Sequence, residues 1–341
     1  MIKALRNNYT LQAILFIIVP LLLWIESFIS PAKIPDSGDL CPLYSIIHTI
    51  FSGYPFVAAV VAFVLVLLQG VLFNYIISSN SLSSKASFLP AVLFVVFFSF
   101  DPQLHTISPI LFTNFLLLII FYHLFKAYDS TSVLNSFFSI SCCIALSTLI
   151  YTPTWILLFL IPLVIIIFRL RPWRIFTISI FGFFAPFIPL VFYYWYIDLL
   201  PEQWSLWCEK ISFWSVNPPN IDTASIILGI ATILLFIILT IVAIRGSREG
   251  VISFRRKSLF LQLSSFLLLL ISFHNSLLPL NLSFIAIFLA FGFTQSLYRK
   301  WRPIFHQLLL LLLLAIMIAN CFFIKHEEQE SPQQQNFVLL Q

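Results

Sequence analysis

Eleven apolar runs, separated by short polar stretches, pattern this chain almost from end to end. They cover approximately 9–29, 54–78, 86–100, 107–125, 132–150, 153–168, 175–197, 223–244, 258–273, 277–297 and 303–324. A bilayer core is about 30 Å thick, and a helix crosses it with about 20 residues. Each run therefore predicts a membrane-crossing helix, the shortest ones only just. The serine-rich run 132–150 reads as a helix buried among the others. The first run follows a basic start and no small-residue cleavage site trails it, so it reads as an uncleaved span. Residues 1–324 form one polytopic membrane domain, and the glutamine-rich stretch 325–341 is expected to be a disordered tail.

Composition supports this class. The chain has 341 residues, 60% hydrophobic and 9% charged, whereas soluble domains carry about 25% charged residues. A soluble fold could not hide so much apolar surface. The formal charge of +5 does not indicate nucleic acid, because the basic residues fall in short clusters between apolar runs. With the N-terminus in the cytoplasm and strict alternation, 15 of the 18 Lys and Arg residues lie inside, leaving only Lys33, Lys210 and Lys325 outside. That bias sets the orientation and supports the odd number of spans. The C-terminus is then outside. The expected location is the bacterial inner membrane, with lipids as the first partners. Arg169, Arg171 and Arg174 set topology and touch anionic headgroups.

Several chemistries are excluded. Ion-coupled transporters place ionisable residues in mid-helix, and here only Glu26, His123 and His306 come close. No GxxxxGK[ST] or GxGxxG cradle for phosphate is present. The five cysteines form no CxxC, which argues against structural zinc. Cys41 and Cys208 both fall in outer loops, as either a disulfide or two free thiols.

Two outer loops are long and acidic, 30–53 and 198–222. Glu26, at the outer end of the first span, and Asp36 and Asp39, in the first of these loops, are candidate carboxylates for general-base work on a hydroxyl. Asp36 and Asp39 are also candidate ligands for a divalent metal. The plain alternative for the two aspartates is a solvated turn, since Asp-Ser-Gly-Asp is turn composition. For Glu26 it is snorkelling to the interface. Lys33, His105 and Lys210 are the basic groups available outside; the family resemblance given below implies a lipid phosphate for them to meet. In the second loop, Trp204, Trp207 and Trp214 suggest an interfacial helix, with sugar stacking as the alternative. Asn114 and Asn281 are expected to bond neighbouring helices.

The layout of two long acidic outer loops, the stretch CPLYSIIHTIFSG before the second span, and the run from Lys85 to Tyr128 resemble the GT-C superfamily of membrane glycosyltransferases. The resemblance covers about residues 9–222, leaving the helices of 223–324 as additions. It implies transfer of a sugar from a polyprenyl phosphate on the outer face, with a Mg or Mn ion as a candidate cofactor. The first loop is shorter than that family's, and its acids stand further from the first span. The whole chain also resembles a family of bacterial inner-membrane proteins, a domain of unknown function. Ser108-Pro109-Ile110-Leu111-Phe112-Thr113-Asn114 and the turn Arg171 to Arg174 carry that likeness. The competing reading is a non-enzymatic subunit that scaffolds a cell-envelope or secretion assembly.

Overall fold

The computed structural model describes residues 8–32, 34, 41–82, 87–99, 102–129, 133–211, 233–241, 244–245, 251–272 and 282–298. Among these the secondary structure is helical, with no strand. In chain order the helices are α1 (Tyr9–Leu23), α2 (Ile25–Ile29), α3 (Pro42–Phe51), α4 (Pro55–Ser79), α5 (Leu89–Phe98), α6 (Pro109–Asp129), α7 (Val133–Ile150), α8 (Leu160–Phe168), α9 (Pro172–Phe184), α10 (Phe187–Tyr196), α11 (Leu200–Ile211), α12 (233–241), α13 (Ile252–Ser272) and α14 (Ala286–Tyr298). Tighter 3-10 segments occupy Pro102–His105, Thr152–Phe159 and Leu282–Ile285.

Four helices are long and apolar enough to cross a membrane: Pro55–Ser79, Pro109–Tyr128, Val133–Ile150 and the joined α9–α10 rod Pro172–Tyr196. Local chemistry shapes the rest. The run expected over 86–100 yields only the ten-residue α5. The run over 9–29 is divided at Trp24 into α1 and α2, above Pro20, whose ring nitrogen cannot donate a backbone bond. The run over 153–168 begins as a 3-10 segment at Pro153 and becomes α-helical only at Leu160. The expected span 303–324 and the tail lie outside the described residues.

Helix α4 shows how lipid and core are sorted. Phe56, Val60, Val64, Leu68, Val71 and Tyr75 are exposed at helical spacing, while Ala58, Ala62, Val66, Gln69, Phe73 and Ile76 are buried. Both faces are apolar. The buried one differs by its small residues and its single amide, as expected where lipid replaces water as the outer solvent. The α9–α10 rod is the extreme case. Only 17% of its most apolar window is buried, against 61% for α6. It therefore sits at the rim of the bundle, with α9 packed on α7. Contact there is close: a Cβ on Gly182 would stand 2.8 Å from the Phe138 carbonyl oxygen.

At one end of the bundle, three long polar side chains pin the turn between α4 and α5. Gln12 Oε1 accepts from Ser87 Oγ at 3.0 Å and from the Phe88 N–H at 2.7 Å. Gln295 donates to the Leu82 carbonyl. Lys257 Nζ donates to Asn80 Oδ1 at 2.9 Å and lies over the Tyr128 ring, 5.2 Å from its centroid. The partners of this buried ammonium include the Asn80 amide oxygen and the rings of Tyr128 and Phe125, contacts that desolvation strengthens.

Candidate functional site

The opposite end of the bundle holds Glu26 and His105, two of the residues that the sequence marks for chemistry. Trp24, fully buried, donates its indole N–H to Ser99 Oγ at 2.8 Å. His105 stacks on that indole with ring centroids 4.3 Å apart. His105 Nε2 faces the Ser99 carbonyl oxygen at 3.1 Å, so that nitrogen carries the hydrogen and donates. Nδ1 then accepts from the Ser27 hydroxyl at 2.8 Å. The imidazole is thus fixed as one neutral tautomer, with both nitrogens engaged.

Burial lowers the His105 pKa to about 4, against the hydrogen bond to Ser99 and the nearby Glu26 carboxylate, both of which act to raise it. His105 is 6% exposed. At neutral pH it is an uncharged, buried positioning residue rather than the outward cation that the sequence suggests. A stability signature follows. The unfolded chain binds a proton at the ordinary histidine pKa, about 6.5, and the folded chain only near 4. The stabilisation is present above pH 6.5 and is lost as pH falls through the window from 6.5 to 4. At about 1.4 kcal/mol per unit, roughly 3 kcal/mol is at stake. Thermal unfolding of the purified protein in detergent should show this fall between pH 6.5 and 4, and His105→Gln should flatten it.

Glu26 stands on α2 two residues after Trp24, and it is exposed. Its turn of helix is anchored on both sides, by Trp24 and by Ser27. Lys33, Asp36 and Asp39 lie outside the described residues. Among the described residues there is no group of three or more His, Cys, Asp or Glu that could hold a metal ion.

The first long loop is not plain loop. It contains α3, started by Pro42 at its first turn, where a missing N–H costs nothing. Helix α3 is tied down twice. Tyr44, 2% exposed, donates its hydroxyl to the Ile107 carbonyl at 3.1 Å, and burial pushes its phenol up to about 12. Cys41 is a free thiol whose sulfur lies 3.1 Å from Thr152 Oγ1. Cys208, its candidate disulfide partner, has no described side chain.

The second long loop contributes α11, which carries Trp204, 59% exposed. Trp207 and Lys210 lie in the same helix, with side chains outside the described set. Trp207 follows Trp204 by three residues, which places both on one helical face. Helix α11 packs against the 3-10 segment Thr152–Phe159, the same segment that Cys41 reaches from α3. The two long loops therefore meet on one short stretch of backbone. Ser27, next to Glu26, meets His105; Tyr44 meets Ile107; and Cys41 meets Thr152, on whose segment α11 packs. Ser27, Ser99 and Thr152, which make these contacts, carry no signal in the linear sequence.

Asn114 departs from expectation. It is fully buried on α6, yet neither its amide nitrogen nor its oxygen has a hydrogen-bond partner. Asn281 lies outside the described residues.

No family model, no curated protein and no solved structure matches this chain.

Proposed function

We propose that the chain is a multi-pass protein of the bacterial inner membrane, carrying a GT-C-like sugar-transfer site at its outer face. The observation that supports this reading is that Cys41, which leads into α3 in the first long loop, and α11, from the second, both reach the segment Thr152–Phe159. In this reading the donor is a polyprenyl-phosphate sugar. Glu26 removes the proton from the acceptor hydroxyl as general base, a role that needs a fixed carboxylate at the water-lipid boundary. The Trp24–His105–Ser99 clamp supplies that fixity. Lys33 and Lys210 meet the lipid phosphate, and Trp204 with Trp207 stacks the sugar. The divalent ion on Asp36 and Asp39 would supply charge neutralisation of the departing phosphate.

A second reading is kept because of the α9–α10 rod, whose Trp173, Trp195 and Tyr196 are exposed by 82%, 65% and 85%. Such a face suits a subunit that scaffolds an envelope assembly.

The two readings separate in a strain lacking the gene, complemented with wild type or with Glu26→Gln, Asp36→Ala or Asp39→Ala at matched membrane levels. Envelope glycans and glycolipids are compared by mass spectrometry. Transfer chemistry predicts loss of one defined sugar in the deletion and in Glu26→Gln, at least 100-fold below wild type, given what a general base contributes. Full rescue by all three variants, with glycans unchanged throughout, would leave the scaffold reading.

A further inference from the structure

The α9–α10 rod is the least covered of the four helices long enough to cross a membrane, and its open flank has a recurring pattern. Arg174, Phe181, Ile188 and Trp195 follow one another at seven-residue spacing, and all four are exposed. Seven residues are close to two helical turns, so the four lie along one flank. Positions 174 and 195 are 21 residues apart, about 32 Å at the helical rise. A bilayer core is about 30 Å thick. One flank therefore carries a guanidinium at one membrane boundary and an indole at the other, with apolar side chains between. Indoles settle at the membrane–water interface.

Side-chain size separates the two things that can cover such a flank, another helix or lipid. Helices that join in lipid do so through small residues, which let the backbones approach. The rod has such residues in Ser179 and Gly182, but they are buried, on the flank where α9 packs on α7. The interior of the open flank is dominated by Phe181, Phe184, Ile188 and Phe192, which are 68%, 57%, 55% and 60% exposed. These bulky groups hold a second backbone away, whereas flexible acyl chains fit between them. Charge then selects the headgroup. Arg171 and Arg174 are both exposed, and the first turn of α9 contains no acid. A guanidinium matches phosphate oxygens in geometry as well as charge.

We infer that the open flank of the rod is a seat for an anionic phospholipid, with its phosphate on Arg171 and Arg174 and its acyl chains along Phe181 and Phe184. The reach is right for one leaflet. Half of the bilayer core corresponds to roughly ten residues of helix, which is the distance from Arg174 to Phe184. Ile188 and Phe192 then face the chains of the other leaflet, and Trp195 marks its boundary. The inference does not depend on the sugar-transfer reading. It leaves the scaffold reading to find its partner on another surface.

Two measurements on the full-length protein test this. In the first, Phe181→Cys and Ile188→Cys, made singly in a chain whose five native cysteines are serine, carry a nitroxide in vesicles of phosphatidylglycerol and phosphatidylcholine. Collisions with oxygen should far exceed those with a water-soluble nickel chelate. Spin–spin broadening would reveal a second copy on this flank, and poor access to both reagents would reveal a protein cover; either result overturns the inference. In the second, native mass spectrometry follows retention of phosphatidylglycerol and of phosphatidylcholine by the detergent-solubilised protein. Wild type should prefer phosphatidylglycerol by about 10-fold, given what two basic residues contribute near an anionic surface. The double variant Arg171→Gln, Arg174→Gln should lose that preference while still retaining phosphatidylcholine, which shows that it is folded. Equal retention of the two lipids by wild type, an unchanged preference in the double variant, or displacement of the lipid by excess inorganic phosphate would each overturn the anionic seat.

Discussion

Trp24→Ala should lower stability by about 3–5 kcal/mol, the cost of emptying a buried aromatic site. The loss has three parts. The indole fills a fully buried position between Phe28, Phe63 and His105, with ring centroids at 6.4, 5.4 and 4.3 Å. Its N–H is the donor that reaches Ser99. Its ring is also the surface on which His105 lies. Trp24→Phe keeps most of the stacking and removes the N–H, so it should cost only about 1 kcal/mol. Thermal unfolding in detergent reads both. The alanine variant should also lose the acid-side fall in stability, because a His105 released to solvent titrates alike in both states. A Trp24→Ala protein as stable as wild type would mean that the clamp does not hold this end together.

Gly182→Leu should be the most damaging change on the rim. A Cβ there would stand 2.8 Å from the Phe138 oxygen, 3.0 Å from Ser141 Cβ and 3.3 Å from Phe138 Cα. Two of these three atoms are backbone and cannot turn aside. Helices α7 and α9 must separate, and without a hydrophobic drive between helices in lipid, close packing is what joins them. Even Gly182→Ala should cost about 1–3 kcal/mol as overpacking, and the leucine variant more, with little protein recovered from membranes. Phe181→Leu is the control. That neighbour is 68% exposed, and its replacement should stay within about 0.5 kcal/mol. Equal recovery of Gly182→Leu and Phe181→Leu would contradict the observed approach of α9 to α7.

How much was legible follows from which signals are local. The long apolar runs announced α4, α6, α7 and the α9–α10 rod almost residue by residue, because crossing length is set by the bilayer. The ten-residue α5 was overestimated, since composition alone does not say where an apolar run stops being helical. Helix α3 was missed as a helix although its signal is present. Pro42 opens it, and Tyr44 and Ile47 then point inward while Ile46 and Ile50 point outward. Glu26 and His105 were visible as residue types, but the role of His105 was not. A neutral ring held by Ser27, 78 positions away, and by Ser99 is a product of tertiary packing. The Cys41–Thr152 pair, 111 positions apart, is the same kind of fact. Asn114 stood out in sequence, and the bond to a neighbouring helix expected of it does not form. Gln69 on α4 donates to the Leu111 carbonyl, one turn away on the same helix as Asn114.

In the proposed reading, α3 and α11 share one face of the membrane while the arginine turn before α9 lies on the other. It is tested most directly by cysteine labelling. Ile46→Cys on α3, Trp204→Cys on α11 and Arg174→Cys on α9 are placed singly in a chain whose five native cysteines are serine. All three positions are exposed. Spheroplasts are treated with a membrane-impermeant maleimide before and after lysis. Positions 46 and 204 should label in intact spheroplasts, and position 174 only after lysis. Labelling of 174 from outside, or of 46 and 204 from opposite sides, would break the shared face on which the proposed site depends.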